Sequence, residues 1–403
     1  MRVQPASLYA SPGVSTMTSR ERFRRVTHYK TADHPAHWEF GWWEETFPTW
    51  HRQGLPDSVT NNRQGDRFFA LDTQDYVPVN VGIVPPFTYE VIEETERYII
   101  YRNGEGAICQ SFTDGASTIP HYLKFPIETR ADWERFRDER LNPNTPRYPD
   151  DAEWAAAVAR LNASDTPVTI GLGSLFGVIR DWMGFENACV AVAEEPEWMA
   201  EMMDHLTLLT ITTIDRALRE VRVDLGLFWE DMAYNAGPMV SPAFFRAVMT
   251  PRYKEITDCC RRRGLDTFCV DCDGDANLLV DGWLAGGVNG MFPLERAGHM
   301  FPHDLRERYR DHVLLFGGVD KRAMIAGREA IEAELRYLAP IVEQGGFIPF
   351  CDHRCPPDVT YANYLYYLQR KCELFGIPKP MDYDALREAA ERSAPRGLSP
   401  CTP

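Results

Sequence analysis

The chain has 403 residues, of which 44% are hydrophobic, 12% aromatic and 25% charged, a composition typical of a globular protein. Its formal net charge of −16 is the reverse of the basic balance that nucleic-acid and anionic-membrane binding require. No stretch approaches about 18 uninterrupted apolar residues, so we expect no transmembrane span. Ten cysteines are too few for a disulfide scaffold, and a reducing cytoplasm is the expected compartment.

The two ends of the chain differ in composition from the rest. Residues 1–16 are small and polar and lack the apolar core of a signal peptide, so we predict a flexible leader. A helical pattern begins just after Met17, which is a candidate for the true start. Residues 381–403 end in a stretch rich in proline and serine, which predicts a flexible tail. Residues 17–380 are therefore expected to form one domain.

The first elements of this domain are mixed. Residues 38–41 and 76–81 read as strands, and residues 131–141 and 151–161 read as helices. Residues 94–102 and 106–112 flank an Asn103-Gly104 turn, which predicts a β-hairpin.

From Val168 onward, short apolar runs alternate with amphipathic helical stretches. The predicted strands are residues 168–173, 225–230, 267–271, 288–292, 313–317 and 347–352. A strand followed each time by a helix indicates a parallel sheet. An open nucleotide-binding sheet would carry a G-x-G-x-x-G loop after its first strand, and none fits here. We therefore predict a (β/α)₈ barrel with an N-terminal extension and a small β-hairpin insertion.

Polar residues recur where these strands end. In a parallel barrel the active site lies at the carboxyl ends of the strands, so this recurrence predicts a site there. In chain order the residues are Glu39, Arg180, Asp181, Glu230, Asp231, Asp271, Asp273, Asp275, Glu295, Asp320, Lys321, Asp352, His353 and Arg354.

The alternation of side chains along a strand narrows this set. If Asp271 points into the barrel, Asp273 does so too and Cys272 points away. His353 would point inward in the company of Cys351 and Cys355. Two carboxylates and an imidazole can bind a divalent metal or perform general acid–base catalysis. The Cys269 and Cys272 side chains face opposite ways on a strand, which argues against a zinc knuckle.

In their order and spacing, several strand ends resemble the uroporphyrinogen decarboxylase superfamily. The resemblance extends from about residue 20 to residue 380. It is carried by residues 173–177, 180–182, 229–232, 270–275, 316–321 and 346–349, and by Asp352, His353, Pro356 and Pro357.

The resemblance implies a (β/α)₈ barrel with a cleft at its carboxyl face. Members include porphyrinogen decarboxylases and methyltransferases that serve corrinoid proteins or thiols. His353 resembles the late-strand histidine of the decarboxylases. The decarboxylases grip their substrate with an arginine-rich segment, whereas residues 37–45 here are acidic and aromatic, so a porphyrinogen substrate is not expected. Asp271 and Asp273 stand where the methyltransferases have a His-x-Cys zinc pair.

Methyl transfer from a methoxy- or methylamine-type substrate to a corrinoid or thiol acceptor is the leading hypothesis. Asp271, Asp273 and His353 would be catalytic and would hold a divalent metal, zinc or a harder ion. A partner protein would carry the corrinoid, and a homodimer is the default assembly. Acidic and aromatic residues would position a neutral or cationic substrate. The residues predicted to bind it are Trp38, Glu39, Trp42, Arg180, Glu230, Asp231 and Asp320.

Two other functions stay open at this point. A lyase would decarboxylate a small acid, with Arg180 or Arg354 holding the carboxylate and His353 or an aspartate donating the proton. A non-catalytic barrel would bind a ligand without turnover. Release of CO₂ distinguishes the lyase from the methyltransferase.

Overall fold

A computed structural model of the protein describes residues 17–113 and 120–393. Its strands are β1 (Asp75–Tyr76), β2 (Glu90–Glu94), β3 (Tyr98–Arg102), β4 (Ile108–Phe112), β5 (His121–Lys124), β6 (Val168–Gly171), β7 (Leu225–Trp229), β8 (Ala233–Tyr234), β9 (Gly237–Pro238), β10 (Phe268–Asp271), β11 (Gly290–Phe292), β12 (Leu314–Val319) and β13 (Phe347–Cys351).

The helices lie mainly between these strands. They are α1 (Ser19–Thr27), α2 (Thr46–His51), α3 (Asn62–Phe68), α4 (Arg130–Arg140), α5 (Asp151–Asn162), α6 (Gly177–Met183), α7 (Phe185–Glu194), α8 (Pro196–Glu220), α9 (Pro242–Phe244), α10 (Thr250–Arg262), α11 (Val280–Ala285), α12 (Pro302–Tyr309), α13 (Lys321–Ala326), α14 (Arg328–Val342), α15 (Tyr361–Phe375) and α16 (Tyr383–Ser393). A π-helical turn, Phe245–Met249, joins α9 to α10. Along the described residues, no helix combines the length and the apolar character needed to cross a membrane.

Seven strands form one curled parallel sheet in the order β1-β6-β7-β10-β11-β12-β13. The segment that carries Trp38 bridges its two edges. The backbone N–H of Asp72, just before β1, donates to His37 O at 3.0 Å, and Trp42 pairs in parallel with Cys355, just after β13. This segment occupies the eighth strand position. The predicted (β/α)₈ barrel is confirmed, and each strand predicted from Val168 onward is present.

Helix α1 covers the amino-terminal end of the barrel. Its Phe23 and Val26 pack in one buried cluster with the interior residues Leu225, Phe316 and Phe350. The side chain of Arg20 forms a buried ion pair with Asp224 at 2.7 Å. The barrel is therefore closed at this end, and its interior opens toward the carboxyl ends of the strands.

The predicted hairpin is present as β3 and β4, but it is the centre of a larger element. Strands β2 and β5 flank it to make a four-stranded antiparallel sheet. Every residue of β2 and β5 is exposed, so neither strand shows the apolar alternation that identifies a strand in sequence.

Residues 383–393, which the sequence assigned to the flexible tail, form α16 instead. Tyr383 is buried, and Gln369 of α15 donates a hydrogen bond to Asp384 at 3.0 Å. Packing on α15 stabilises a short helix whose own sequence signal is weak. The predicted leader, residues 1–16, and the end of the tail, residues 394–403, lie outside the described residues.

Candidate active site

A cavity of about 640 Å³ lies inside the barrel at the carboxyl ends of the strands. Alternate residues of the strands form an apolar floor: Leu225, Leu227, Cys269, Phe292, Phe316 and Phe350. The polar lining comes mainly from α3, from β1 and the residues just before it, and from the carboxyl ends of other strands: Glu39, Asn62, Arg63, Asp66, Arg67, Asp72, Thr73, Gln74, Asp75, Tyr76, Asp271 and Arg354. The volume suits a small molecule.

Asp271 enters this cavity from the end of β10. Cys269 and Asp271 both line the cavity, whereas Cys272 faces away and its Sγ accepts a hydrogen bond from the N–H of Met232 at 3.4 Å. This is the alternation expected of a strand. Burial, together with the nearby carboxylates of Asp273 and Asp231, raises the pKa of Asp271 to about 8. Asp271 is therefore mainly protonated at neutral pH and can act as a proton donor.

Asp273 and His353 form a pair beside the cavity. His353 Nε2 lies 3.2 Å from Asp273 Oδ2, and the other oxygen of Asp273 is buried with no hydrogen-bond partner among the described residues. The imidazole ring stacks on Trp43, with ring centroids 5.3 Å apart, and meets Phe40 edge-on at the same distance. These contacts fix the orientation of the imidazole.

The cysteines expected beside His353 lie elsewhere. Cys351 and Cys355 belong to the packed layer between the barrel strands and the outer helices. The alternation fails because β13 ends at Cys351 and the chain bends through residues 352–354. His353 therefore reaches the rim from a bend and not from a strand.

The three residues predicted to hold a metal do not form a three-ligand site. Asp273 and His353 come together, but no group of three or more His, Cys, Asp or Glu side chains in residues 17–113 and 120–393 is arranged to bind a metal ion. Two donors fall short of the three protein ligands that catalytic zinc sites use. The donor set does not fit such a centre, so the chemistry below is derived without one.

Two of the acidic residues predicted to bind substrate are engaged inside the protein. Glu39 is buried; its Oε1 accepts hydrogen bonds from Lys371 and Tyr367, each at 2.7 Å. Glu230 is completely buried beneath the start of α6. It accepts hydrogen bonds from the backbone N–H groups of three consecutive residues, Leu175, Phe176 and Gly177, and from Ser174 and Tyr253. Glu230 shapes the loop between β6 and α6 and does not line the cavity.

Asp231 and Arg180 form an ion pair with each other near the rim of the barrel. Arg180 Nη1 lies 3.0 Å from Asp231 Oδ2 and also donates to the Asp231 carbonyl, and Arg180 Nη2 lies 3.1 Å from Asp181. The guanidinium is mostly buried, 5.5 Å above the ring of Trp229. Neither residue lines the cavity.

Of the three remaining residues predicted to bind substrate, one lines the cavity and two do not. Trp38 lines the cavity. Trp42 is buried behind it in an aromatic cluster with Phe47, Phe69 and Tyr364. Asp320 is the N-cap of α13, where it accepts a hydrogen bond from the N–H of Arg322 at 2.8 Å.

The sequence profile described as uroporphyrinogen decarboxylase (URO-D) matches residues 107–369, more than half of the chain. The chain belongs to this family. Among solved structures, a methyltransferase from Methanosarcina mazei is similar, with a TM-score of 0.56 and 14% sequence identity, over 89% of this chain and 99% of that chain. At this identity the likeness establishes a shared fold. No curated protein matches the chain.

In this URO-D family barrel, α3 and β1 form a polar wall of the cavity that was not predicted from the sequence. Arg63, Asp66 and Arg67 on α3 and Tyr76 on β1 all line the cavity. Burial and the nearby carboxylate of Glu39 raise the pKa of Asp66 to about 6. Helix α3 has only seven residues, so its sequence pattern is weak. The one signal for this wall was the four-residue spacing of Arg63 and Arg67, which places both side chains on one helix face.

Proposed function

We propose that this protein is a methyltransferase-like enzyme that removes a methyl group from a small methyl ether and passes it to an acceptor. The observation that carries the proposal is Asp271, a carboxyl group on the cavity wall, two residues beyond the floor residue Cys269, whose pKa is raised to about 8. The fold shared with the Methanosarcina mazei methyltransferase supports it as a structural likeness.

A protonated acid has a defined role in breaking a methyl ether. The acceptor supplies an electron pair to the methyl carbon as the bond between that carbon and the ether oxygen breaks. The oxygen gains negative charge, and Asp271 gives it a proton, so the product leaves as a neutral alcohol or phenol. Asp271 becomes a carboxylate and regains its proton from solvent.

This role favours a methoxy substrate over a methylamine. A methylated ammonium group leaves as a neutral amine and takes no proton, whereas an alkoxide is a poor leaving group unless it is protonated. A buried acid with a pKa of about 8 therefore suits the ether. The acceptor in this proposal is a corrinoid carried by a partner protein, or a thiol.

Asp273 and His353 act on Asp271 as positioning residues. The Asp273 carboxylate disfavours a second negative charge nearby, which helps Asp271 to hold its proton. His353 in turn fixes the orientation of Asp273 through the contact at 3.2 Å.

One observation favours decarboxylation as a second candidate. Arg354 lines the cavity near Asp271 and has no carboxylate partner among the described residues, so it can hold a substrate carboxylate. In that reaction CO₂ leaves and the acid protonates the remaining carbanion. Methyl transfer releases no CO₂.

An activity assay with a methoxy-substituted aromatic acid and either cob(I)alamin or a thiol as the acceptor tests the proposal. We expect the demethylated phenol and the methylated acceptor in equal amounts, no CO₂, and a loss of about 10²- to 10⁴-fold in rate for Asp271→Asn. Asp281→Asn, at an exposed ion pair with Arg308, is the matched control and should retain the rate. Release of CO₂, or an unchanged rate for Asp271→Asn, would contradict methyl transfer by this mechanism.

Metal binding by Asp271, Asp273 and His353 is tested separately by elemental analysis. Because these residues do not form a three-ligand group, we expect substoichiometric metal in the purified protein and no loss of rate on chelation. One equivalent of zinc that is lost in both Asp273→Asn and His353→Ala would overturn this expectation.

A further inference from the structure

We propose that the cavity binds its substrate as an organic carboxylate, held by Arg63, Arg67 and Arg354, with an apolar ring against the floor. We refer to these three residues as the arginine set. The inference deepens the proposed function and rests on it for the reaction, but the anion site itself is argued from the charges that line the cavity.

The arginine set approaches the cavity from two sides. Arg63 and Arg67 are four residues apart on α3 and therefore lie on one face of that helix. The backbone of α3 is held close, because a Cβ at Gly65 would lie 2.4 Å from the ring of Trp42. Arg354 follows β13 and stands 5.4 Å above the ring of Phe40 and 5.7 Å above that of Trp43.

None of the three guanidinium groups has a carboxylate within 4.0 Å or a hydrogen bond among residues 17–113 and 120–393. All three line the cavity. Elsewhere near the site, arginines have partners: Arg180, for example, contacts two carboxylates. Three unpaired cations around one cavity leave positive charge for a ligand to neutralise.

The carboxylates of the cavity lining do not balance this charge. Glu39 is paired with Lys371 at 2.7 Å, and Asp75 with Arg160 at 2.8 Å. Asp72 lies 3.8 Å from Arg22 and also accepts a hydrogen bond from the N–H of His37 at 2.8 Å.

The two other carboxylates of the lining differ in charge at neutral pH. Burial raises the pKa of Asp271 to about 8, so it is mainly protonated, and that of Asp66 to about 6, so it is mainly ionised. Among the described residues, three of the five lining carboxylates are thus paired with cations and a fourth is mainly neutral, so Asp66 alone opposes the three unpaired arginines. The cavity favours an anion although the whole chain carries a net charge of −16.

The apolar floor specifies the rest of the ligand. Phe292, Phe316 and Phe350 with Leu225 and Leu227 present aromatic and aliphatic surface opposite the polar wall. A flat ring buries its faces against such a surface, and a carboxylate on its edge can accept paired hydrogen bonds from a guanidinium. This ligand differs from the neutral or cationic substrate that the acidic strand ends predicted, because Glu39, Glu230 and Asp231 are satisfied within the protein.

Calorimetric binding of two probes tests the arginine set. The probes are 4-methoxybenzoate and 4-methoxybenzamide, which share the ring and differ in charge. We expect the benzoate to bind at least about tenfold more tightly than the amide, with an affinity that falls as salt is added. Arg67→Gln and Arg354→Gln should each weaken benzoate binding by about tenfold and leave amide binding unchanged. Arg246→Gln replaces an exposed arginine that does not line the cavity, and its affinities should match those of the parent.

Equal binding of the two probes, no binding of either, or an unchanged benzoate affinity in both arginine variants would overturn the anion site. Thermal unfolding of each variant confirms that it is folded. Because binding needs no acceptor, selective benzoate binding in a protein that transfers no methyl group would reject the proposed reaction and retain the anion site. Demethylation of neutral methyl ethers as efficiently as of methoxy-substituted acids would reject the anion site and retain the proposed reaction.

Discussion

At the scale of single residues, the direction of a side chain determines whether it lines the cavity, and position in the sequence predicted that direction only within strands. Strand alternation predicted that Asp271 enters the barrel and that Cys272 leaves it, and both are observed. Glu230 was predicted to bind substrate from its place at a strand end, but it lies just past the end of β7 and is buried beneath the start of α6. Beyond a strand end the turn sets the direction of the side chain, and the sequence carried no signal for that turn.

The raised pKa of Asp271 predicts how the free energy of unfolding depends on pH. The folded protein keeps the Asp271 proton up to about pH 8, whereas an unfolded aspartate loses it near pH 4. Between these values the folded state binds more protons, so this group destabilises the fold as the pH rises toward 8. Asp271→Asn removes the effect. We expect the variant to gain about 1–3 kcal/mol over the parent at pH 8 and little at pH 4, measured by urea unfolding.

The control for this prediction is Asp281→Asn, where the aspartate is exposed. Its difference from the parent should stay within about 0.5 kcal/mol and should not grow between pH 4 and pH 8. A stability difference for Asp271→Asn that does not depend on pH would show that Asp271 is ionised in the folded protein.

At the scale of elements, the loop between β6 and α6 is built around one carboxylate. Glu230 accepts backbone hydrogen bonds from Leu175 and Phe176 at 2.8 and 2.9 Å and from Gly177 at 3.0 Å. The loop was part of the resemblance to the URO-D superfamily, but its organising residue was predicted to bind substrate. Sequence patterns predicted both β7 and the loop between β6 and α6. They could not show that Glu230, after β7, binds the backbone of that loop.

Glu230→Gln tests this arrangement. The glutamine amide keeps the size of the side chain but replaces one acceptor oxygen with a donor, which then faces N–H groups. We expect a loss of about 2–4 kcal/mol in the free energy of unfolding. Glu255→Gln on the exposed face of α10 should cost less than about 0.5 kcal/mol. Equal stability of the two variants in denaturant unfolding would show that Glu230 does not hold the loop.

At the scale of the whole molecule, the barrel was predictable because six of its strands are continuous apolar runs. The four-stranded insertion was only half predicted, because β2 and β5 are fully exposed. The closure of the barrel by residues 37–42 depends on backbone hydrogen bonds to Asp72 and Cys355. Such long-range contacts have no signature in a single sequence.

Helix α1 covers the amino-terminal end of the barrel, and its buried ion pair allows a prediction about the stability of the whole molecule. Arg20→Ala would remove the buried ion-pair partner of Asp224 and leave it with Arg24, a half-exposed arginine 3.9 Å away. We expect a loss of about 2–4 kcal/mol in denaturant unfolding, since a distant and half-exposed arginine compensates a buried carboxylate only in part. The matched control is Arg25→Ala, which breaks an exposed pair with Glu21 and should cost about 0.5 kcal/mol or less. Similar losses in the two variants would contradict a structural role for the buried pair.

The state of the Asp271 carboxyl group is the point on which the proposed chemistry depends. Infrared difference spectra between the parent and Asp271→Asn, recorded from pH 6 to pH 10 without substrate, report it directly. We predict a protonated carboxyl band that belongs to Asp271 and disappears with a midpoint near pH 8. A difference spectrum that shows only an ionised carboxylate at pH 6 would leave the cavity without its proton donor.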